Sequence, residues 1–181
     1  MSPHQDSYNS KGPASPQGGF TLIEALVALV LLTVGLIPAF TLASSSLTLA
    51  GSIQNSLVAT HLAQEGVEVV RAIRDADWFA GNSFGKSLDS CTSPDATIKC
   101  RVQYDSTSTT QLPILDNPAL KKDPDTGLFQ YTKGADTLYH REVTITAISA
   151  HERKVIVTIT WNERSGTKTF ELEDHLYDWL Q

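Results

Sequence analysis

Apolar residues fill residues 20–43 almost without interruption, and Glu24 is the only charge among those 24 positions. A helix needs about 20 apolar residues to cross a bilayer core, so this run predicts a transmembrane helix. Gly35 and Pro38 lie inside it and predict a kink or a locally melted turn, because proline removes a hydrogen bond and crowds the preceding turn. No Asp, Glu, Lys or Arg occurs from Ala25 to Gln64. The small, polar 44–52 stretch marks the exit from the apolar run. The helix resumes or continues over 53–78, where Val58, Leu62, Gly66, Val69, Ile73 and Ala76 recur every three or four residues as one apolar stripe. Glu65, Glu68, Arg71 and Asp75 lie off that stripe, with Glu68–Arg71 and Arg71–Asp75 at helical neighbour spacing.

Beyond the helix the pattern changes. Residues 80–136 are broken into turns by Gly81, Gly85, Pro94, Pro113, Pro118, Pro124 and Gly127. Within them Ile98, Cys100, Val102 and Tyr104 alternate with Lys99, Arg101 and Gln103, which predicts a half-buried strand over 98–104. The last third alternates with a period of two. Val143, Ile145 and Ala147 form one set, and Val155, Val157, Ile159 and Trp161 a second. Phe170 and Leu172 belong to a third strand over 167–173. Short turns at 150–153 and 163–166 join them into an antiparallel meander. One face is suited to cover the apolar stripe, and threonines line the other. Leu176, Trp179 and Leu180 predict a closing helical turn. The expected class is α+β: a long N-terminal helix, half transmembrane and half amphipathic, packed on a C-terminal antiparallel sheet.

Glu24 is misplaced for a simple anchor. A charged residue inside a spanning helix costs roughly 2.5–3.5 kcal/mol on insertion scales, so a partner or a task is expected for it. Gly19-Phe20-Thr21-Leu22-Ile23-Glu24 resembles the processing motif of type IV prepilins and type II secretion pseudopilins. That resemblance implies cleavage after Gly19 by a prepilin peptidase, which methylates the new amine on Phe20, and retention of Glu24 in the membrane segment. It also implies that Glu24 meets the N-terminal amine of a neighbouring subunit during assembly. An intrachain pair, or an acid snorkelling to the interface, are the competing accounts. The stretch HLAQEGVEVVRAIRD is similar to the corresponding helix of minor pilins, including pilus modification proteins. An amphipathic helix packed on a sheet accounts for the same residues.

These readings divide the chain into a leader (1–19), a transmembrane or filament-core helix (20–43) and an amphipathic helix (44–79). A variable loop region with one strand (80–136) and the meander with its closing turn (137–181) follow. The leader is rich in Ser, Pro, Gly and Gln, and Lys11 alone marks its cytoplasmic side for the positive-inside rule. The formal net charge is −6 and stays so without the leader, where Lys11 and Asp6 cancel. An acidic chain argues against nucleic acid as the main partner.

Cys91 and Cys100 suit a single disulfide outside the cytoplasm, against the alternative of two buried free thiols. Asp123, Asp125 and Gly127 resemble the opening of a calcium loop, but Gly134 stands where an EF-hand places its closing glutamate, and an Asp-Pro turn fits equally. His61, His140, His151 and His175 lack metal-ligand spacing, and the polar tract 105–110 reads as a solvated loop or a sugar-bearing one. No residue set calls for an enzyme or a cofactor. The expected partners are the prepilin peptidase/N-methyltransferase, other pilin subunits, the pilus assembly machinery and the membrane. A minor pilin is the preferred reading. A type II secretion pseudopilin, or an anchored extracytoplasmic binding or enzymatic domain, are the alternatives.

Overall fold

The computed structural model describes residues 19–111 and 116–179. Leader positions 1–18, Pro113 and Leu180 lie outside these. The chain divides into two units, one ending at Leu47 and one beginning at Thr48.

In the first unit the residues from Leu22 onward belong to helix α1 (Leu22–Phe79), which begins two residues later than the apolar run suggested. No melted turn interrupts it: the helix is unbroken through Gly35 and Pro38. Pro38 cannot donate to the carbonyl of Val34 four residues back, and the helix runs on past that one missing bond. Thr41 Oγ1 donates to the carbonyl oxygens of Ile37 and Pro38, both at 2.9 Å. The predicted exit is helical as well. Ser45 and Ser46 donate to the carbonyls of Thr41 and Leu42 at 2.8 and 2.9 Å, so hydroxyls that compete with a helix elsewhere are here absorbed by it.

In the second unit the remainder of α1 packs on a sheet. Short strands come first: β1 (Thr92–Ser93), β2 (Lys99–Arg101), β3 (Thr110–Gln111), β4 (Ala119–Lys122) and β5 (Phe129–Gln130). Three long ones follow: β6 (Ala135–Ser149), β7 (Glu152–Glu163) and β8 (Gly166–Tyr177). The long strands form the expected meander, with Val143 opposite Val157 and Val157 opposite Leu172. The other edge of β6 is shared by β1, β2 and β4. β1 runs parallel to it at Ile145–Thr146, while β2 pairs at Val143–Thr144 and β4 between Ala135 and His140, both antiparallel. Among the described residues, 80–136 therefore hold five short strands and the start of β6 rather than one strand.

Three local expectations are corrected. The strand expected over 98–104 shrinks to Lys99–Arg101, because the chain turns back at Gln103–Ser106, where Ser106 Oγ accepts from Gln103 N. Burial still follows the predicted alternation at Cys100 and Val102, while Tyr104 is exposed. The closing helical turn is absent as far as Trp179: Asp174–Tyr177 extends β8, and Leu176 lies opposite Arg153 in the core. Arg71 turns away from Asp75 to Asp174 of β8 (2.9 and 2.8 Å) and to Glu68 (2.7 Å), and Asp75 pairs with Arg74 instead.

The core of this unit joins Leu62, Val67, Val70 and Ile73 of α1 to Val143, Ile145, Val155, Val157 and Ile159 of the sheet. Gly66 lets the two layers approach: a Cβ there would sit 2.9 Å from Val157 Cγ1 and 3.3 Å from Arg141 Cδ. The predicted stripe drifts at its end, where Ala76 is exposed and Asp77 is buried. Asp77 holds the next segment. Its carboxylate accepts from the backbone N–H and hydroxyl of Ser87 (both 2.8 Å), in the 3₁₀ turn Lys86–Cys91. Arg153 grips the same segment from β7, donating to the carbonyls of Phe84 and Gly85 and to Asp89. A disulfide joins Cys91 to Cys100, both fully buried, and ties the 3₁₀ turn to β2.

Four outcomes follow from this packing. Gly66→Leu overpacks the helix–sheet contact and lowers unfolding free energy by about 1–3 kcal/mol in denaturant titration. Gly51→Leu, where an added Cβ meets nothing within 4 Å, leaves it unchanged or slightly raised. Cys91→Ala/Cys100→Ala costs somewhat under ~3 kcal/mol, the chain-entropy value for a loop this short. Glu163 accepts hydrogen bonds from Trp161, Asn55 and Ser52, which hold its carboxyl below the ordinary 4.5. A depressed folded value stabilises above about pH 4.5 and is lost as pH falls through it, so Glu163→Gln shows a shallower acid-side loss of stability than the parent.

Candidate functional site

The sequence places its main candidate site at Gly19, Phe20 and Glu24, where a non-helical segment meets the first turn of α1. Gly19, Phe20 and Thr21 precede the helix, and all three are exposed. Phe20 is 78% accessible, and nothing lies within 4 Å of a Cβ built on Gly19. An endopeptidase needs its scissile bond outside helical hydrogen bonding and open to approach. The Gly19–Phe20 bond meets both conditions.

Glu24 is the third residue of α1 and its only acid in the first turn. Its backbone N–H donates to Thr21 Oγ1 at 3.3 Å, so Thr21 caps the helix. The Thr21-Leu22-Ile23-Glu24 spacing is that of a capping box, a further signal that the sequence carries at this helix start. An acid in the first turn also sits favourably against the helix dipole. Local physics therefore gives Glu24 one reason to be there. The cap uses its main chain, and its side chain has no acceptor or donor partner among the described residues.

Behind this turn the helix is apolar on every side. It is long and apolar enough to cross a membrane near the N-terminus, and none of its most apolar window is buried. Leu22, Leu31, Ile37 and Phe40 are each more than three-fifths exposed. A surface of that composition requires hydrocarbon or other apolar helices around it.

The remaining candidates take structural places. Cys91 and Cys100 form the disulfide described above. At the Asp123–Gly127 turn, Lys133 Nζ lies 2.7 Å from Asp125 and 3.3 Å from Asp123, where a cation would sit. Asp123 Oδ1 accepts from the N–H of Asp125, which with Lys133 holds its carboxyl below the usual range. Gly134, at φ +114°, abuts the Lys122 carbonyl, so a glutamate has no room at that position. The residues form a lysine-closed Asp-Pro turn. Among the described residues no three His, Cys, Asp or Glu side chains converge as a metal site. His140 contacts the Asn117 carbonyl (2.6 Å) and His151 reaches Asp178 (3.3 Å). His175 pairs with Glu152 (2.7 Å), which raises its pKa. His61 is exposed on α1.

Arg141, which sequence reasoning missed, is fully buried on β6. It donates to the carbonyls of Leu62 and Val102 and to Glu65 Oε1 (3.0 Å). Its position in the alternation of β6, two residues before Val143, was the available clue.

No curated protein and no solved structure matches the chain. Residues 14–40 match the family model described as the prokaryotic N-terminal methylation motif, spanning the exposed Gly19–Phe20 bond, Glu24 and the apolar helix beyond it. The chain therefore carries the prepilin-type signal of type IV pilin-like proteins and pseudopilins.

Proposed function

We propose that the protein is a minor pilin-like structural subunit. Prepilin peptidase cleaves after Gly19 and methylates the amine of Phe20. The subunit waits as a single-pass protein of the cytoplasmic membrane with its folded unit outside, and then enters a surface filament through α1. The observation that carries this reading is the coincidence of three features at one helix end. These are an exposed, non-helical Gly19–Phe20 bond, an acid at the third helical position, and an apolar surface without a covering layer among the described residues. The proposed role is structural rather than catalytic. A type II secretion pseudopilin uses the same N-terminal motif and is the second reading within the family.

The chemistry of assembly centres on Glu24. Cleavage creates a positive amine at Phe20, and a carboxylate in hydrocarbon must be paired or protonated. A neighbouring subunit's amine would satisfy it and set the register between helices.

Intact-mass and N-terminal peptide analysis of membrane material tests the reading. The mature chain is expected to begin at Phe20 and carry one methyl group. A dominant species starting at Met1, or beyond Ala43, overturns it. Glu24→Val is expected to insert and be cleaved normally yet be depleted from sheared filaments. Undiminished incorporation of the fully processed variant removes the docking role from Glu24.

A further inference from the structure

The outer strand of the meander ends the sheet on one side. Among the described residues β8 hydrogen-bonds to β7 alone, along 12 residues from Gly166 to Tyr177. Its other edge leaves alternate N–H and C=O groups without a strand partner. Proteins usually blunt such an edge with short strands, bulges, proline or charged side chains; along its register with β7, β8 has no bulge or proline and is guarded by charges alone, Lys168, Glu171 and Glu173 among them.

Beside this edge lies a cleft of about 200 Å³ between α1 and β8. Val67 of α1 and Leu172 of β8 supply its apolar walls, and Glu68, Glu173 and Asp174 its polar ones. Arg71 crosses it to Asp174 and Glu68. Glu171 stands exposed next to it on β8 and has no ion-pair partner among the described residues, whereas Glu173 is met by His175 Nε2 at 3.2 Å and by Lys154 at 3.8 Å. Four carboxylates thus border the open edge; Arg71, Lys154 and His175 answer three of them, and Glu171 is left for an incoming cation.

We propose that this edge is a docking site for an extended, lysine- or arginine-bearing segment of a partner protein, which adds to the sheet as a strand beside β8. Main-chain hydrogen bonds to β8 would hold the segment, and alternate side chains would enter the cleft between Val67 and Leu172. The flanking carboxylates select a basic strand. In the antiparallel register centred on Leu172 they also disfavour a second copy of this chain, since Glu171 then stands opposite Glu173 and like charges directly opposed are destabilising. The proposal rests on the second unit alone and stands or falls independently of processing and assembly.

The test uses the full chain in a neutral detergent and a fluorescein-labelled peptide of alternating lysine and valine, followed by anisotropy. Two control peptides replace lysine by glutamate, or carry methyl groups on alternate backbone nitrogens with side chains and charge unchanged. Saturable binding of the first peptide is expected, with each control weakened at least about tenfold. Glu171→Lys, exposed and outside the core, is expected to weaken the basic peptide by about tenfold as well while leaving the disulfide and far-UV spectrum intact. Equal binding of the N-methylated peptide means charge attraction without strand addition and overturns the proposal. Equal binding of the acidic peptide, indifference to Glu171→Lys, or absence of binding overturns it too.

Discussion

A single guanidinium organises the folded unit. Arg141 is wholly removed from water, and its donors reach the α1 backbone at Leu62, the Glu65 carboxylate and the Val102 carbonyl beyond β2. Helix, central strand and irregular segment thus meet at one side chain, and the Tyr131 hydroxyl donates to the Arg141 carbonyl from a fourth direction. Buried charge is costly unless paired and hydrogen-bonded, so it tolerates few alternative arrangements of the layers around it. Gly66 makes the geometry possible, since any side chain there would push α1 away from Val157 and from Arg141 itself. Apolar burial supplies the driving force, whereas the guanidinium fixes which helix face and which register are used.

The helix answers to two different requirements along its length. Before Leu47 it is selected for uniform apolarity, with hydroxyls folded back on its own carbonyls. After Thr48 it is selected for a buried face, and small residues (Ala59, Ala63, Gly66) line the contact where the sheet comes near. Both requirements are met within one continuous run of backbone hydrogen bonds, which is why no break in secondary structure marks the change.

Most of the architecture was legible because its signals are periodic. The apolar run, the stripe from Val58 to Ile73 and the alternation of β6 and β7 each repeat often enough to outweigh local exceptions. What escaped was single-residue chemistry. Asp77 and Arg141 are charged residues at buried positions, and a polarity pattern marks such residues as surface until their partners are known. Strands β1, β3 and β5 span two residues each and are held by contact with longer elements, so they have no pattern of their own. The terminal DHLY segment reads as helical by its spacing, yet it completes the pairing of β8 along β7, where tertiary hydrogen bonds outweigh local preference. At the N-terminus the motif itself was plain, while the capping role of Thr21 was hidden by its proximity to a more conspicuous acid.

The two edges of β6 have different consequences for how the protein tolerates change. One is committed residue by residue to β7. Along the other, β4, β2 and β1 attach in successive short stretches, each through its own few hydrogen bonds. They behave as grafts on a shared trunk, of which β1 and β2 are tied to each other by the Cys91–Cys100 bridge. A loop lengthened between two of them alters neither the trunk nor the next graft, since loop-closure entropy grows only slowly with length. The turns between these attachments can therefore diversify in sequence and size, whereas Val102, Tyr131 and the Cys91–Cys100 bridge stay committed to the buried guanidinium and the core, and surface identity evolves on a scaffold that need not be redesigned to carry it.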